Sequence, residues 1–407
     1  VAIVSDLHEE RWHSMDLIAE MLLLNLKAQD LPVVDPTELR PAMVRRFTRV
    51  PFAPHSLAET ADRITNRVWD YPHWLGSHRD EFDVFHIVDH SYANLVRVLP
   101  ANRTIVTCHD LDAFQGVLPG TRGGTLVSRA LARRLLDGLQ AAARIVCVSE
   151  AAGDQLISHD IVPPSRVTVI PNGVHPTCSH RPDARADREV EELLGQITPS
   201  AIELLHVGST IPRKRIDVLL ESVAVLRRRW SKLRLIRVGD TLTPTQERQV
   251  RQLGLTDAVT VLPFVDRRVL SALYRRATML LQPSEREGFG LPVAEAMASG
   301  TPVVASRIPA LVEVGGRAAT YCPVGDIDAW VAAEQSSPSQ QVARGEESIR
   351  LAEAVAKLPD AQRDAVMRRY CQGQSLAVIS QQMGRTPAAV SGLLRRGTKQ
   401  LRDLLQE

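Results

Sequence analysis

The sequence of 407 residues predicts two doubly wound α/β domains with parallel sheets, followed by a small all-helical domain. Two successive series of short apolar strands alternate with amphipathic stretches, which is the pattern of parallel strands joined by crossover helices. A polar segment separates the two series, and a run rich in Ser and Gln closes the second. After that run only helical patterns remain, so we expect a change of fold class there.

The first α/β domain is predicted over residues 1–175, with a helix at 16–26 and strands at 2–4, 85–88, 104–107, 145–148 and 167–170. A linker with a short helix follows over 176–200. The second α/β domain is predicted over 201–333, with strands at 203–207, 233–238, 259–262, 278–281 and 302–305. We expect the two sheets to face a cleft, because ligands of open α/β sheets bind beyond the carboxyl ends of the strands. A second linker covers 334–347, and the helical domain covers 348–407.

Composition and charge exclude several classes of protein. Hydrophobic residues make up 44% and charged residues 24%, so the chain can bury a core and is not disordered overall. Five widely spaced cysteines without a Cys-x-x-Cys pair indicate neither a disulfide framework nor a zinc site. No apolar run reaches the length of a membrane span and no signal peptide is visible, so a cytoplasmic protein is predicted. The formal net charge is +2, but residues 348–407 alone carry +5.

The loop after the predicted strand at 278–281 carries the strongest chemical signal. It reads Ser-Glu-Arg-Glu-Gly-Phe-Gly-Leu-Pro from Ser284 to Pro292 and leads into a helix that Gly300 ends. Its glycines allow close approach of the backbone to a ligand, and the N–H groups at the helix start can bind a phosphate. Glu287 and Glu295 can each accept hydrogen bonds from hydroxyl groups of a ligand. For this pair alone, a solvated acidic loop is the alternative.

A second loop, after the strand at 203–207, begins with Gly208 and contains Arg213 and Lys214. An amphipathic helix starting at Ile216 follows it. The two cations lie where the loop turns into the helix, so two positive charges and a helix N-terminus can meet one diphosphate. Both loops follow the carboxyl ends of strands, which favours a ligand site over solvated charges.

The two loops together resemble the donor site of the retaining family 4 glycosyltransferases of the GT-B fold. The Glu-Gly-Phe-Gly motif and the second Glu match Glu287 and Glu295, and the Gly…Arg-Lys element matches Gly208, Arg213 and Lys214. The segments 148–150 and 169–174 also look like landmarks of the family. The resemblance covers roughly residues 1–333 and implies a GT-B fold of two Rossmann-like domains.

The resemblance implies a metal-independent transfer, with retention, of a sugar from a nucleotide-sugar to an acceptor that the sequence leaves open. Glu295 would hold the ribose hydroxyls, while Arg213 and Lys214 would neutralise the diphosphate leaving group. His109 and Glu287 are the implied catalytic residues beside the transferred sugar. The implied donor-binding residues are Gly208, Arg213, Lys214, Phe289, Gly290, Leu291 and Glu295. No cofactor and no metal ion are expected.

Some features depart from the family or imitate other sites. Many members have a Gly-rich loop after the first strand, and residues 9–15 replace it in this chain. Arg215 stands at a position where the family often has Gly. The family pattern ends near Ala333, without the helices that usually close the second domain, which bears on activity. The Asp-x-Asp sequences at 110–112 and 326–328 are interpreted as incidental. His86, Asp89 and His90 suit an acceptor-side loop better than a metal site. The basic stretch 129–144 is interpreted as a solvated face, with weak peripheral membrane contact as the alternative.

The tail predicts four helices, at 349–357, 361–370, 376–383 and from Thr386 onward, with Pro387 in the first turn. The last two form a helix-turn-helix pattern with a buried seam of Ile379, Val390, Leu393 and Leu394. The outer residues suited to phosphates and base edges are Arg385, Ser391, Arg395, Arg396 and Lys399. The segments 358–363, 375–377 and 393–397 are similar to region 4 of sigma-70 factors of the extracytoplasmic-function class. This similarity implies duplex DNA and RNA polymerase as partners. A helical cap that replaces the missing closing helices is the alternative.

Three hypotheses for function remain open at this point. The first is a glycosyltransferase that uses the two loops. The second is a DNA-binding regulator whose glycosyltransferase body is sensory or vestigial. The third is an inactive fusion of two unrelated pieces, which an RNA read spanning residues 328–348 would test.

Overall fold

The computed structural model describes residues 1–28, 35–50, 54–118, 125–196, 201–335, 354–371 and 374–406. The chain divides into two compact units. Unit 1 comprises Val1–Pro176, Ser284–Ala294 and Arg307–Gly316. Unit 2 comprises Thr177–Pro283, Glu295–Ser306 and Arg317–Glu407. Each unit has its own parallel sheet, as the sequence predicts.

The sheet of unit 1 has six parallel strands in the order β2-β1-β3-β4-β5-β6. Their bounds are β1 Ala2–Val4, β2 Thr37–Leu39, β3 Phe85–Ile87, β4 Thr104–Cys108, β5 Arg144–Cys147 and β6 Val167–Val169. The five predicted strands are confirmed. The sequence analysis missed β2, an edge strand of Thr-Glu-Leu with two exposed residues, because it has no apolar run. The strand order reverses between β1 and β3, and this is the point where such sheets bind ligands.

Helices pack on both faces of this sheet around a core of aliphatic and aromatic residues that includes Phe85, Ile87, Val106 and Ile145. The helices are α1 His13–Ala28, α2 His55–Thr65, α3 Tyr71–Ser77, α4 Leu126–Ala141 and α5 Glu150–Ser158. A π-helical turn, Asn66–Asp70, joins α2 to α3, and a 3₁₀ helix, His90–Val98, follows β3. Ser149 begins α5 as its N-cap, because its hydroxyl accepts a hydrogen bond from the Ala152 N–H at 3.1 Å.

The sheet of unit 2 also has six parallel strands, in the order β12-β11-β10-β7-β8-β9. Their bounds are β7 Ile202–Val207, β8 Leu233–Val238, β9 Val259–Leu262, β10 Met279–Gln282, β11 Val303–Ser306 and β12 Thr320–Cys322. This is the strand order of dinucleotide-binding domains, with the reversal between β7 and β10. The strands β10 and β11 are buried throughout, which agrees with apolar runs covered on both faces. The sequence analysis missed only the edge strand β12.

The remaining α/β helices are α6 Ala184–Leu194, α7 Ile216–Arg229, α8 Pro244–Gln252, α9 Arg267–Arg276, α10 Leu291–Ala298, α11 Pro309–Gly315 and α12 Ile327–Gln335. The apolar stripe predicted after the Gly208 loop is confirmed, since Ile216, Leu219, Leu220 and Val223 of α7 are buried. The helix α6, in the predicted linker, packs against α9 through an Asp187–Arg275 ion pair of 2.6 Å.

The tail contains α13 Asp360–Val366, a π-helical turn Met367–Cys371, α14 Leu376–Gln382 and α15 Pro387–Gln406. Of the predicted first helix, residues 354–356 are helical and 349–353 lie outside the described residues. Thr386 caps α15 as predicted, and Ile379, Val390 and Leu393 are buried. Although α15 has 20 residues, no helix in the described ranges is long and apolar enough to cross a membrane.

Candidate active site

In unit 2 the loop after β7 begins at the point where the strand order reverses. Its first residue, Gly208, has a φ of +147°, which favours glycine. Behind it, a Cβ placed on Gly239 would lie only 2.3 Å from the Gly208 carbonyl oxygen. Both positions therefore require glycine, and the backbone of this loop is held in one place.

The predicted cations follow on the same loop. Pro212–Lys214 forms a single 3₁₀ turn, and Arg215 adopts a left-handed conformation with a φ of 50° before α7 begins. Lys214 is buried, and its Nζ atom lies 3.9 Å from the point where a Cβ on Gly208 would stand. Arg213 is half-buried. The structure thus brings the Lys214 ammonium to Gly208.

Two buried basic side chains beneath this loop escaped the sequence analysis. Arg237, near the end of β8, is fully buried, and its guanidinium donates to the carbonyl oxygens of Asp240 and, at 2.7 Å, of Gly208. Burial lowers the pKa of Arg237 to about 10, so it remains a cation at neutral pH. Burial and the nearby Arg237 and Lys214 hold the pKa of His206 well below its usual range, so His206 is neutral. The signal available in the sequence was an arginine inside a strand that is otherwise mostly apolar.

The predicted ribose-binding residue, Glu295, lies on α10 and is buried. Its Oε2 atom accepts a hydrogen bond of 2.8 Å from the hydroxyl of Tyr274, a fully buried residue of α9. Among the described residues Tyr274 is the only hydrogen-bond partner of the Glu295 carboxylate. Burial raises the pKa of Glu295 to about 6, while the Tyr274 hydroxyl opposes that rise. The sequence analysis missed Tyr274, since a tyrosine in an amphipathic helix gives no specific signal.

In unit 1 the loop of the Glu-Gly-Phe-Gly motif packs against the residues that follow β4 and β5. A Cβ on Gly288 would lie 1.7 Å from the carbonyl oxygen of His109, so this contact requires glycine. The Ser149 hydroxyl donates to the Gly288 carbonyl at 2.6 Å. The Ser284 hydroxyl donates to Glu287 Oε1 at 2.7 Å, which orients that carboxylate. Glu287 and His109 therefore belong to one packed assembly of loops.

His109 is buried at the carboxyl end of β4. Its Nε2 atom lies 2.7 Å from the Val88 carbonyl oxygen, which can only accept, so Nε2 carries the proton. Burial lowers the pKa of His109, and the imidazole is neutral at physiological pH. A neutral ring with a fixed tautomer presents Nδ1 as an acceptor, not as a cation.

A buried network of titratable residues lies beside His109 at the strand reversal of unit 1. Asp89 Oδ1 lies 3.2 Å from His90 Nδ1, and the Ser91 N–H donates to Asp89 at 2.9 Å. Burial and the neighbouring Asp89 raise the pKa of Asp6 well above its usual range. Within the described residues no group of three or more His, Cys, Asp or Glu side chains could hold a metal ion.

The structure divides the predicted site residues between the two units. Unit 2 holds Gly208, Arg213, Lys214 and Glu295, and unit 1 holds His109, Glu287, Phe289, Gly290 and Leu291. Phe289 is buried and Gly290 has a φ of +102°, again a conformation that favours glycine. The five residues predicted to face DNA are all exposed on or beside α15: Arg385, Ser391, Arg395, Arg396 and Lys399.

Three family models match the chain in separate segments. Glycosyltransferase Family 4 matches residues 25–177, and Glycosyl transferases group 1 matches residues 201–336. Sigma-70, region 4 matches residues 348–401, in the tail. The matches coincide with the segments that carry the two resemblances.

Curated relatives match part of the chain. The D-inositol 3-phosphate glycosyltransferase of Pseudarthrobacter chlorophenolicus is 35% identical over 187 residues, which are 44% of this chain and 42% of the relative. The MMP alpha-(1->4)-mannosyltransferase of Mycolicibacterium hassiacum is 32% identical over 42% of this chain and 39% of the relative. The chain thus spans less than half of the length of these two relatives.

Solved structures match the fold over most of the chain. WaaG, a glycosyltransferase involved in lipopolysaccharide biosynthesis, has a TM-score of 0.64 at 16% identity and covers 87% of this chain and 95% of its own. Anabaena HepE, solved in complex with UDP and glucose, has a TM-score of 0.63 at 14% identity and covers 88% of this chain and 99% of its own. At these identities the likeness shows the fold alone. With the family models, it confirms the predicted fold class: a GT-B fold whose two Rossmann-like domains each match a glycosyltransferase family model, followed by a helical tail that matches sigma-70 region 4.

Proposed function

We propose that the protein is a retaining, metal-independent glycosyltransferase that transfers a sugar from a nucleotide-sugar to an acceptor. One observation carries the proposal: unit 2 combines an oriented, buried carboxylate at Glu295 with a buried cation, Lys214, set against Gly208. A carboxylate suits ribose hydroxyls, and a cation against a glycine backbone suits a diphosphate. The names of the curated relatives, and the UDP bound to Anabaena HepE, support a nucleotide-sugar donor.

The leaving group sets the main demand on unit 2. As the bond between the sugar C1 atom and the phosphate oxygen breaks, negative charge grows on the diphosphate. Arg213 and Lys214 would stabilise this charge, with the buried Arg237 adding a fixed positive potential behind Gly208. Cations already held in place need no reorganisation during the reaction, which is the main advantage of electrostatic catalysis. We infer that they serve in place of a divalent metal ion.

Unit 1 would act on the sugar and the acceptor. The acceptor oxygen forms its bond to C1 on the face that the phosphate leaves, and the acceptor's proton passes to the departing phosphate oxygen. This route conserves the configuration at C1 and requires no protein base. Neutral His109 then accepts a hydrogen bond from a sugar hydroxyl through Nδ1, and Glu287 accepts another, so both fix the sugar instead of transferring a proton.

The test is release of free nucleotide from a panel of UDP-, GDP- and ADP-sugars by the full chain. We expect Lys214→Ala and Glu295→Gln each to reduce turnover by about 100-fold or more, since fixed charges at a transition state have effects of this size. The matched controls are Lys232→Ala and Glu247→Gln, two exposed residues of unit 2, which should retain wild-type turnover. Unchanged release by the two site variants, or no release from any donor by folded wild-type protein, would reject the proposal.

Duplex DNA binding by the tail is a second candidate function. The observation in its favour is the sigma-70 region 4 match, which includes the exposed residues Arg385, Arg395, Arg396 and Lys399. Cations on one helix suit phosphate contacts along a groove. The salt dependence of duplex DNA binding by the full chain tests it.

A further inference from the structure

A buried histidine of unit 2, His206, has no part in the roles given above. It lies on β7, two residues before Gly208, and is fully buried. In the part of the chain that the structure describes, neither of its ring nitrogens has a hydrogen-bond partner. A neutral imidazole has one N–H donor and one acceptor nitrogen, so both polar atoms of the ring are buried without compensation. Burial of unpaired polar atoms costs free energy and calls for an explanation.

The packing of the sheet does not explain a histidine at this position. On the same face of β7, Leu204 belongs to the aliphatic core, where an apolar side chain is the ordinary choice. The residue in register with His206 on β8 is Arg237, a cation. Arg237 and Lys214 are the charged groups that act on the ring, and both disfavour a second proton on it. An apolar residue would fill this position without the cost of an unpaired ring.

The glycine beside the ring leaves room for one ligand atom. A Cβ placed on Gly208 would lie 3.7 Å from His206 Cε1, 3.7 Å from Lys214 Cε and 3.9 Å from Lys214 Nζ. These are ordinary van der Waals distances, so an atom fits at this point without a clash. Because Cε1 lies between the two ring nitrogens, the polar edge of the imidazole is the edge that borders this space.

The backbone of Gly208 can donate no hydrogen bond to a ligand at this point. Its N–H donates to the Val238 carbonyl at 2.9 Å, and its carbonyl accepts from Arg237 at 2.7 Å. An anion over Gly208 therefore depends on side chains for its hydrogen bonds. Lys214 supplies a charged donor there, and His206 can supply a neutral one.

We propose that His206 is a further donor-binding residue, whose ring N–H donates a hydrogen bond to a diphosphate oxygen held over Gly208 beside Lys214. The inference rests on the proposed function, since the diphosphate is that of the nucleotide-sugar. A lysine ammonium is a point charge on a flexible stem and binds phosphate oxygens from many directions, whereas a buried ring N–H favours one direction. His206 thus fixes the position of the diphosphate, and the cost of the unpaired ring is recovered only in the complex.

Calorimetric titration of the full chain with UDP, GDP and ADP tests the hydrogen bond. We expect His206→Phe to weaken binding of whichever nucleoside diphosphate the wild-type protein binds by about 10-fold or more, because the lost hydrogen bond is made to a charged group. His206→Gln keeps a neutral N–H donor and should lose less affinity than His206→Phe. Affinity of His206→Phe within about 2-fold of wild type, or weaker binding by His206→Gln than by His206→Phe, would overturn the assignment.

Stability separates this role from a structural one. Because His206→Phe removes two unpaired polar atoms from the core, its urea midpoint without ligand should equal or exceed that of the wild-type protein. The matched control is Ser222→Ala on α7, which also removes a buried polar atom without a partner among the described residues. Ser222→Ala should leave nucleotide affinity unchanged within about 2-fold. A lower urea midpoint in His206→Phe, or an equal loss of affinity in Ser222→Ala, would show that the core as a whole is responsible and would overturn the proposal.

A measurement on the wild-type protein keeps the proposal testable if His206→Phe fails to fold by circular dichroism. The ring nitrogen resonances of His206 can be assigned in NMR spectra by their loss in His206→Gln. We expect them to move when the nucleoside diphosphate is added, because the ring N–H then gains an acceptor. Resonances that stay in place at saturating nucleotide would overturn the inference.

The same assays separate this inference from the proposed function. Nucleotide binding and donor turnover that are unchanged in His206→Phe would reject the role of His206 and leave the proposed function standing. Folded wild-type protein that binds none of the three nucleotides and turns over none of their sugars would overturn both.

Discussion

The positive charges at the Gly208 loop and those of the tail are placed in opposite ways. At the Gly208 loop, Lys214 and Arg237 are buried, and Arg237 is fixed by hydrogen bonds to two backbone carbonyls. In the tail, the cations on or beside α15 are exposed on long side chains: Arg385, Arg395, Arg396 and Lys399. One set is locked in place before a ligand arrives, and the other is solvated and screened by salt.

This difference separates two kinds of recognition by one chain. Buried, fixed charges act through a low effective dielectric, so they favour one anion in one orientation and are little affected by salt. Exposed cations bind a polyanion mainly through the release of counterions, so their affinity depends steeply on salt and weakly on sequence. We therefore expect substitutions at the Gly208 loop to change the affinity for a small donor, and substitutions in the tail to change the salt dependence of DNA binding.

The largest effect that tests this comparison is expected for Arg237→Met. The change removes a buried positive charge and leaves the Gly208 carbonyl without its hydrogen-bond donor. The loop that begins at Gly208 therefore loses the hydrogen bond that holds it and the positive electrostatic potential behind it. We expect KM for the donor to rise about 10- to 100-fold in steady-state assays of nucleotide release. The same substitution at exposed Arg228 should leave KM unchanged. An unchanged KM in Arg237→Met would show that the buried cation has no part in donor binding.

A smaller effect is expected from pH through Glu295. Because burial raises the pKa of this carboxyl to about 6, the unliganded protein is protonated there below pH 6 and ionised above it. Ribose hydroxyls donate best to the ionised form, so donor affinity should rise with pH through about 6 and then level off. Nucleotide-sugars suit this measurement because both phosphates are diesters without a pKa near 6.

Two variants check the assignment to Glu295. Tyr274→Phe removes the hydrogen bond that opposes the rise in pKa, so the midpoint of donor affinity should move to higher pH. Glu295→Gln should bind the donor weakly at every pH between about 5 and 8, with no midpoint. A midpoint that persists in Glu295→Gln would assign the titration to another group.

The tail should show the opposite behaviour. Its affinity for DNA should depend strongly on salt, and substitutions of its cations should change that dependence modestly. Fluorescence anisotropy with duplex DNA of random sequence, between about 50 and 200 mM salt, gives the slope of log affinity against log salt. We expect Arg395→Ala with Arg396→Ala to reduce that slope by about 2, one unit for each phosphate contact. Lys357→Ala, an exposed tail residue outside α15, should leave the slope unchanged. A slope near zero in wild-type protein would rule out DNA binding by these cations.

The sequence predicted the strands, the two site loops and the helix-turn-helix pattern, because each depends on local patterning. Apolar runs such as residues 303–305 identify buried parallel strands, and Gly288 with Gly290 identifies a backbone approached closely by other groups. The edge strands β2 and β12 were missed for the same reason, since each has only three residues and neither contains a run of aliphatic side chains.

The partners of the site residues could not be predicted. Tyr274 lies 21 positions before Glu295, and Arg237 lies 29 positions after Gly208, so each contact depends on how the helices and strands pack. The sequence analysis also treated Ser284–Ala294 as part of the second domain, whereas this segment packs within unit 1 against His109 and Ser149. The predicted domain boundaries thus remain a prediction, because the position of a segment along the chain does not establish the unit in which it packs.

The smallest predicted effect concerns Arg215, a cation beside Lys214 that is only half-buried. Its charge is already paired with Asp217 at 2.8 Å, so neither Arg215→Gly nor Arg215→Ala should change KM for the donor by more than about 2-fold. Stability should respond instead. Arg215 has a φ of 50°, so Gly relieves backbone strain there while Ala keeps it. Urea unfolding should therefore show Arg215→Gly to be more stable than Arg215→Ala by about 1 kcal/mol. A rise in KM for either variant as large as that expected for Arg237→Met would contradict this comparison. It would show that cations need not be buried to bind the donor.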